Sequence, residues 1–251
     1  MAFKKFPEAP KLKQMIGPSV IILALGLGSG EIILWPYLVA NYGLGVAWGA
    51  VLGISFQFFI NMEIERYALV KGESVFVGIA RFFPAAIYWF ILSTFIGFGL
   101  PGIVAASAQV LAQVFGLADF KWLAIGLLLA IGLILTLGRT IYSLMEKITK
   151  IIIFCGVPFI FVLAVYFGSP ESWSALGSGL IGKGEGFWFL APGIAIATFL
   201  GAFAYSGAGG NLNLTQSIYV KEKGYGMGAY AQKISGLFAA RGRQEEIRLA
   251  G

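Results

Sequence analysis

Six apolar runs, each close to or above the length that crosses a bilayer, govern what this chain can become. A spanning helix takes about 20 predominantly apolar residues, and the runs lie at approximately 15–40, 45–69, 84–113, 121–138, 148–167 and 187–220. In hydrocarbon every backbone N–H and C=O must be satisfied internally, so such runs are expected as helices. Composition agrees: 12% of the 251 residues are charged and 58% hydrophobic, against about 25% charged in an average soluble domain. With a mean hydropathy of +0.84, a soluble fold would need a larger interior than a chain of this length encloses. The expectation is an all-α, polytopic membrane protein with the lipid bilayer as its first partner.

The net charge of +6 does not point to nucleic acid, because the basic residues fall between apolar runs and not on one face with interleaved aromatics. They read instead as topology. Lys4, Lys5, Lys11 and Lys13 precede the first run, Arg66, Lys71 and Arg81 follow the second, and Arg139, Lys147 and Lys150 follow the fourth. Lys221, Lys223, Lys233, Arg241 and Arg243 follow the sixth, and the opposite loops carry only Lys121 and Lys183. Lys and Arg accumulate on the cytoplasmic side, which places both termini there, in the cell membrane. The expected layout is a cytoplasmic tail over 1–14, six membrane helices over 15–220 and a cytoplasmic tail over 221–251. The basic start resembles that of a signal peptide, but the run beyond it is too long for one and is expected to be retained.

The first run contains Gly26-Leu27-Gly28-Ser29-Gly30-Glu31. Each glycine weakens a helix by about 1 kcal/mol relative to alanine, and a carboxylate at membrane depth is costly and by default functional. The sixth run contains Ser206-Gly207-Ala208-Gly209-Gly210-Asn211-Leu212-Asn213, again glycine-rich and polar near its middle. Two interrupted spans in corresponding positions are the sequence pointer to a transporter of inverted-repeat design. The candidate substrate contacts are therefore Gly28, Ser29, Gly30 and Glu31 with Ala208, Gly209, Gly210 and Asn211, and Gln57 midway along the second run. Glu31 would supply charge, Ser29 and Asn211 oxygens, and the glycines free carbonyls; Glu31 and Asn211 are the candidate metal ligands. The competing reading is that the glycines merely let helices pack closely.

From about Ile16 to Lys223 the chain resembles the first six helices of the Nramp (natural resistance-associated macrophage protein) family of divalent-metal and proton symporters. The resemblance is carried by Ile16-Gly17-Pro18, by Asn41-Tyr42-Gly43, by Arg66-Tyr67-Ala68-Leu69-Val70-Lys71-Gly72 and by Asn211-Leu212-Asn213-Leu214. It implies a LeuT-like inverted-repeat fold with helices 1 and 6 broken, this chain supplying one repeat and the first helix of the second. A piece of a longer transporter is therefore expected. The site motifs depart from the family. Gly28-Ser29-Gly30-Glu31 stands where the family has Asp-Pro-Gly-Asn, and Ala208-Gly209-Gly210 where it has a metal-contacting methionine followed by Pro-His. A family histidine falls on Thr215 or Gln216. Without the thioether, oxygen donors suited to Mg²⁺, Ca²⁺ or Mn²⁺ remain.

Histidine is absent and Cys155 stands alone, so a Cys-based metal cluster or disulfide framework within the chain is excluded. Cys155 is expected as a small buried side chain. Asn61, Glu63, Glu65 and Arg66 read as a structural or gating group near the cytoplasmic end of the second run, with Glu63 and Arg66 paired at i, i+3. Ser93, Thr94, Ser107 and Gln109 read as interhelical hydrogen-bonding residues. The tryptophans, Trp35 among them, read as an interfacial belt. Pro101 is expected to kink the third run. No nucleophile–base pair or phosphate loop is present, so neither an enzyme nor a cofactor is expected. The expected function is secondary-active transport of a cation by alternating access, a divalent metal ion favoured, coupled to protons or Na⁺. The alternatives are a carrier of an organic amine or amino acid and a non-transporting membrane scaffold.

Overall fold

The computed structural model describes residues 5–9, 11, 20, 23–24, 26–28, 30–99, 102–137 and 141–231. Among these residues the chain is helical without strands, apart from an isolated bridge between Lys183 and Trp188. After the first break a π turn over Gly30–Leu34 leads into α1, Trp35–Tyr42. A 3₁₀ turn at Leu44–Val46 then opens α2, Trp48–Lys71. The chain continues through α3 (Val75–Phe82), α4 (Ala86–Thr94), a π turn at Phe95–Gly99, α5 (Gly102–Val114), α6 (Lys121–Leu137) and α7 (Ile141–Phe167). It closes with α8 (Pro170–Gly179), α9 (Ile196–Ala204), α10 (Asn211–Lys223) and a 3₁₀ turn at Gly226–Tyr230.

Helix ends follow local chemistry. α2 contains no proline and ends at Gly72, which takes the left-handed conformation (φ 67°, ψ 16°) and donates its N–H to the Ala68 carbonyl at 2.9 Å. At the start of α8 the Ser169 hydroxyl accepts the Ser172 N–H at 3.2 Å and Pro170 fills the first turn, where its missing N–H costs nothing.

Among the described residues three helices are long and apolar enough to cross a membrane: Leu44–Lys71, Ala86–Val114 and Glu146–Phe167. These answer to the second, third and fifth runs. The fourth run forms the shorter apolar α6, and most of the first lies outside the described residues. The sixth run is corrected at its start: 187–195 is not helical, because Pro192 and Gly193 (φ 78°) turn the chain before α9 begins at Ile196. Pro101 and the tail beyond residue 231 also lie outside the described residues.

The chain divides into two units, one drawn from residues up to 75 and from 145 to 231, the other from 76 to 144. In the first, Trp35, Leu38, Val46, Phe199 and Ala202 form a buried core. The Trp35 and Phe199 rings meet edge to face at 6.0 Å, and the Trp35 indole N–H donates to the Ser206 hydroxyl at 2.9 Å. Trp35 is thus a core residue holding the second break, not part of an interfacial belt. Cys155 is likewise exposed, not buried, since an outward face of α7 carrying Phe154, Phe161 and Val165 is itself apolar. In the second unit, Phe76 and Phe90 pack edge to face at 4.9 Å. The Ser107 hydroxyl there donates one turn back, to the Ile103 carbonyl at 3.0 Å, and the Ser93 hydroxyl does the same to Trp89 at 2.6 Å.

Candidate functional site

Both glycine-rich stretches are breaks in helical structure, and they touch. Leu23, Ala24 and Gly26 are helical, Leu27 and Gly28 bend, and the chain re-enters a helix through the π turn at Gly30. A side-chain carbon added to Gly26 would stand in ordinary van der Waals contact, 3.4 Å from the Gly207 Cα, so the two breaks are packed neighbours. The second break runs from Tyr205 to Gly210, where Gly207 (φ 97°) and Gly210 (φ 60°, ψ −131°) take conformations that other residues rarely adopt.

Glu31 joins the breaks. The Ile32 N–H donates to the Gly28 carbonyl at 3.1 Å, which makes Gly28 the cap of the resumed helix. Three residues on, Glu31 Oε2 accepts the Gly28 N–H at 3.2 Å, the reciprocal half of a capping box. Its other oxygen, Oε1, accepts the Gly207 N–H across 176 residues of sequence. Unwound backbone in an apolar surround leaves amides that need acceptors. One carboxylate thus bonds an amide from each break, sharing the Gly28 N–H with the Gly26 carbonyl, which accepts it at 2.8 Å.

A cavity of about 450 Å³ opens beside this junction, lined by Gly26, Glu31, Gly207 and Ala208 from the breaks and by Gln57, Asn61 and Glu65 from α2. Gln216 of α10 completes the polar lining, while Leu23, Ile54, Phe58 and Met62 supply apolar wall. Gln57, Asn61 and Glu65 recur every four residues and so form one stripe along α2. On α10 the buried face carries Asn213, Gln216 and Ser217. The Asn213 amide donates to Gln57 Oε1, the Gln57 amide to the Ala204 carbonyl at 3.0 Å, and the Gln216 amide to Glu65 Oε1. The Ser217 hydroxyl accepts the Val75 N–H at 3.0 Å. Amide N–H groups in this network have acceptors, while the carbonyl oxygens of Asn61, Asn213 and Gln216 are buried without a hydrogen-bond partner among the described residues. The local surplus is of acceptors.

Of the candidate residues, Glu31, Gln57 and Ala208 line the cavity and Gly28 donates to Glu31 from its edge. Ser29 lies outside the described residues, and Gly30 opens the π turn that resumes the helix. Gly209, Gly210 and Asn211 do not line the cavity. Gly209 is buried against Tyr205, and Gly210 is exposed. Asn213, two residues beyond Asn211 and therefore on the opposite side of the helix, is the one that reaches Gln57. Glu31 and Asn211 are consequently not paired as ligands in this cavity, and no group of three His, Cys, Asp or Glu residues is gathered among the described residues. Glu65 and Asn61, expected as structural or gating residues, line the cavity; the four-residue stripe through Gln57 was the signal. Met62 brings a thioether from α2, where the sixth run has none. Glu63 and Arg66 pair as expected, at 2.5 Å on an exposed face.

A larger recess of about 980 Å³ lies between residues 41–45, α8 and residues 183–192. Its charged side chains, Glu171, Lys183 and Glu185, are exposed and it holds no unpartnered buried polar atom among the described residues, so the cavity at the breaks is the candidate site. No protein-family model, curated protein or solved structure matches the chain.

Proposed function

We propose that the chain is a secondary-active membrane carrier of a cation, working by alternating access, with an Nramp-like, LeuT-type arrangement in which helices 1 and 6 are the broken ones. The observation that carries the reading is the cavity itself. Two carboxylate residues, Glu31 and Glu65, line one space at the meeting point of two helix breaks, together with Asn61 and Gln216, whose amide oxygens are buried without a hydrogen-bond partner among the described residues. No Lys or Arg lines that space among the described residues, so its negative charge has no resident counter-ion. Charge left uncompensated at membrane depth is costly, and a bound cation removes that cost. The breaks also supply a hinge: a helix interrupted at Gly207 and Gly210 can tilt in halves without losing its internal hydrogen bonds.

In this reading the bilayer surrounds the six spans, both termini are cytoplasmic, and proton or Na⁺ gradients are the candidate driving forces. Two cargo classes suit a cation site of this kind: a divalent metal ion, which the Nramp resemblance implies, and an organic amine. The protein reconstituted in liposomes on a solid-supported membrane should give a transient current on addition of Mn²⁺, Mg²⁺ or an alkylammonium salt. Glu31→Gln should remove that current while the reconstituted protein keeps its elution profile. Absence of current with every one of these cations, under proton and Na⁺ gradients alike, would overturn the proposal.

A further inference from the structure

We infer that the cargo of this cavity is a small organic ammonium ion with an apolar body and no carboxylate of its own, an inference that rests on the cation-carrier reading. Where two helix breaks meet, free backbone N–H groups are the natural seat for a substrate carboxylate. Here that seat is taken. The Gly28 and Gly207 N–H groups already donate to Glu31, so an amino acid's carboxylate would find neither amide free and would face the Glu31 charge.

The rest of the polar lining is rich in acceptors. Gln216 is 4% exposed, and because its amide nitrogen donates to Glu65, its Oε1 is the atom left without a partner. Asn61 Oδ1 is in the same state. Both oxygens are closed to solvent in this structure; turned into the cavity by side-chain rotation, they join the Glu65 carboxylate as a group of oxygens matched to a primary ammonium, which has three N–H donors and no acceptor. The rest of the wall is apolar, from Leu23, Ile54, Phe58 and Met62. Phe58 can also hold a cation over its face.

A bare metal ion fits this lining less well. Mg²⁺ demands about six oxygen ligands and Ca²⁺ about six to eight, whereas both carboxylates here already accept hydrogen bonds and the apolar wall offers only the soft thioether of Met62, which does not suit these ions. A metal would have to keep its water against apolar side chains. The cavity's 450 Å³ lies within the ~300–1,000 Å³ range of small-molecule sites.

Phenethylammonium and phenylalanine differ only by a carboxylate, so the pair tests the inference directly. Titration calorimetry on the whole chain in nanodiscs should show saturable phenethylammonium binding, with phenylalanine at least ~100-fold weaker because of like-charge repulsion and the occupied amides. Gln216→Leu should weaken phenethylammonium about 10-fold by removing an acceptor. Glu31→Gly, which frees the Gly207 amide and removes the charge, should reverse the order of the pair. If that variant does not fold, the wild-type pair still decides. Equal or tighter phenylalanine binding by the wild type, or no effect of Gln216→Leu, would overturn the inference. Mn²⁺ binding tighter than phenethylammonium would overturn it while leaving the cation-carrier reading in place; no binding of any of the three would overturn both.

Discussion

In the first break the chain passes through Gly26 and Gly28 and resumes as a π turn whose own side chain, Glu31, reaches back to close it. In the second, α10 resumes at Asn211 behind Gly210 with no side-chain cap at all, and the break's Gly207 amide is satisfied from the first break by the same Glu31. Dependence between the two therefore runs one way. The first break carries the charge and completes itself; the second contributes backbone shape and borrows its acceptor. A substitution in the first should disturb both, and one in the second should stay local.

Glu31→Leu is the sharpest way to break that asymmetry. It strips an acceptor from amides in both breaks, and hydrogen bonds to a charged group are worth about 1.5–3 kcal/mol each. Because Glu31 is only half-buried, a combined loss of about 2–3 kcal/mol is expected, read as the largest fall in melting temperature of the set. Cation-evoked current should vanish with it. A variant that melts like the wild type would mean the two amides find other acceptors and Glu31 does not couple the breaks.

Gln57 tests whether the α2–α10 interface holds the second break from the other side. Gln57 is 8% exposed, accepts from the Asn213 amide and donates to the Ala204 carbonyl at the end of α9. Gln57→Leu leaves a buried donor and a carbonyl unpaired, a cost of about 1–3 kcal/mol. The double variant Gln57→Leu with Asn213→Leu should recover part of that loss, since removing both partners of a buried pair is far less costly than removing one. Additive losses in thermal unfolding would show that the bond between them contributes little.

Gly210→Ala probes shape alone. An added side-chain carbon at Gly210 meets nothing within 4 Å, yet φ 60° with ψ −131° is a region in which alanine is strained. The expected cost is about 1–2 kcal/mol, all of it backbone, with the wild-type ligand preference retained because Gly210 does not line the cavity. A change in ligand order without a change in melting would reverse the roles assigned to the two breaks.

How far the site could be read in advance follows the same division. Clustered glycines mark where helix is weakest, so both breaks were legible, and so was the oddity of a carboxylate in the first. That Glu31 would serve as a cap to both breaks was not, because Gly207 lies 176 residues away and only the fold brings it near. The choice between Asn211 and Asn213 depended on helix phase behind an irregular break, which spacing within the break does not set. The Gln57, Asn61 and Glu65 stripe stands at regular helical spacing in the sequence, but its meaning needs the buried face of α10 opposite. The missed start of α9 has a simpler cause, Pro192 and Gly193 inside an otherwise apolar run.

The smallest expected effect lies away from both breaks, on the exposed side of α2. The Arg66 guanidinium pairs with Glu63 at 2.5 Å, but the two side chains are 72% and 61% exposed, so water and salt screen the pair and holding two long side chains together offsets what attraction remains. Glu65, one residue before Arg66 in sequence, faces the cavity instead and is bonded to Gln216. Neighbours on one helix thus belong to different environments. Arg66→Gln should leave the melting temperature within the scatter of repeat scans and leave ligand order untouched, whereas Glu65→Gln should weaken cation binding with little effect on the Glu63–Arg66 pair. If Arg66→Gln shifted binding as much as Glu65→Gln, the separation of the α2 stripe from its exposed face would fail, and the site would have to extend around the helix.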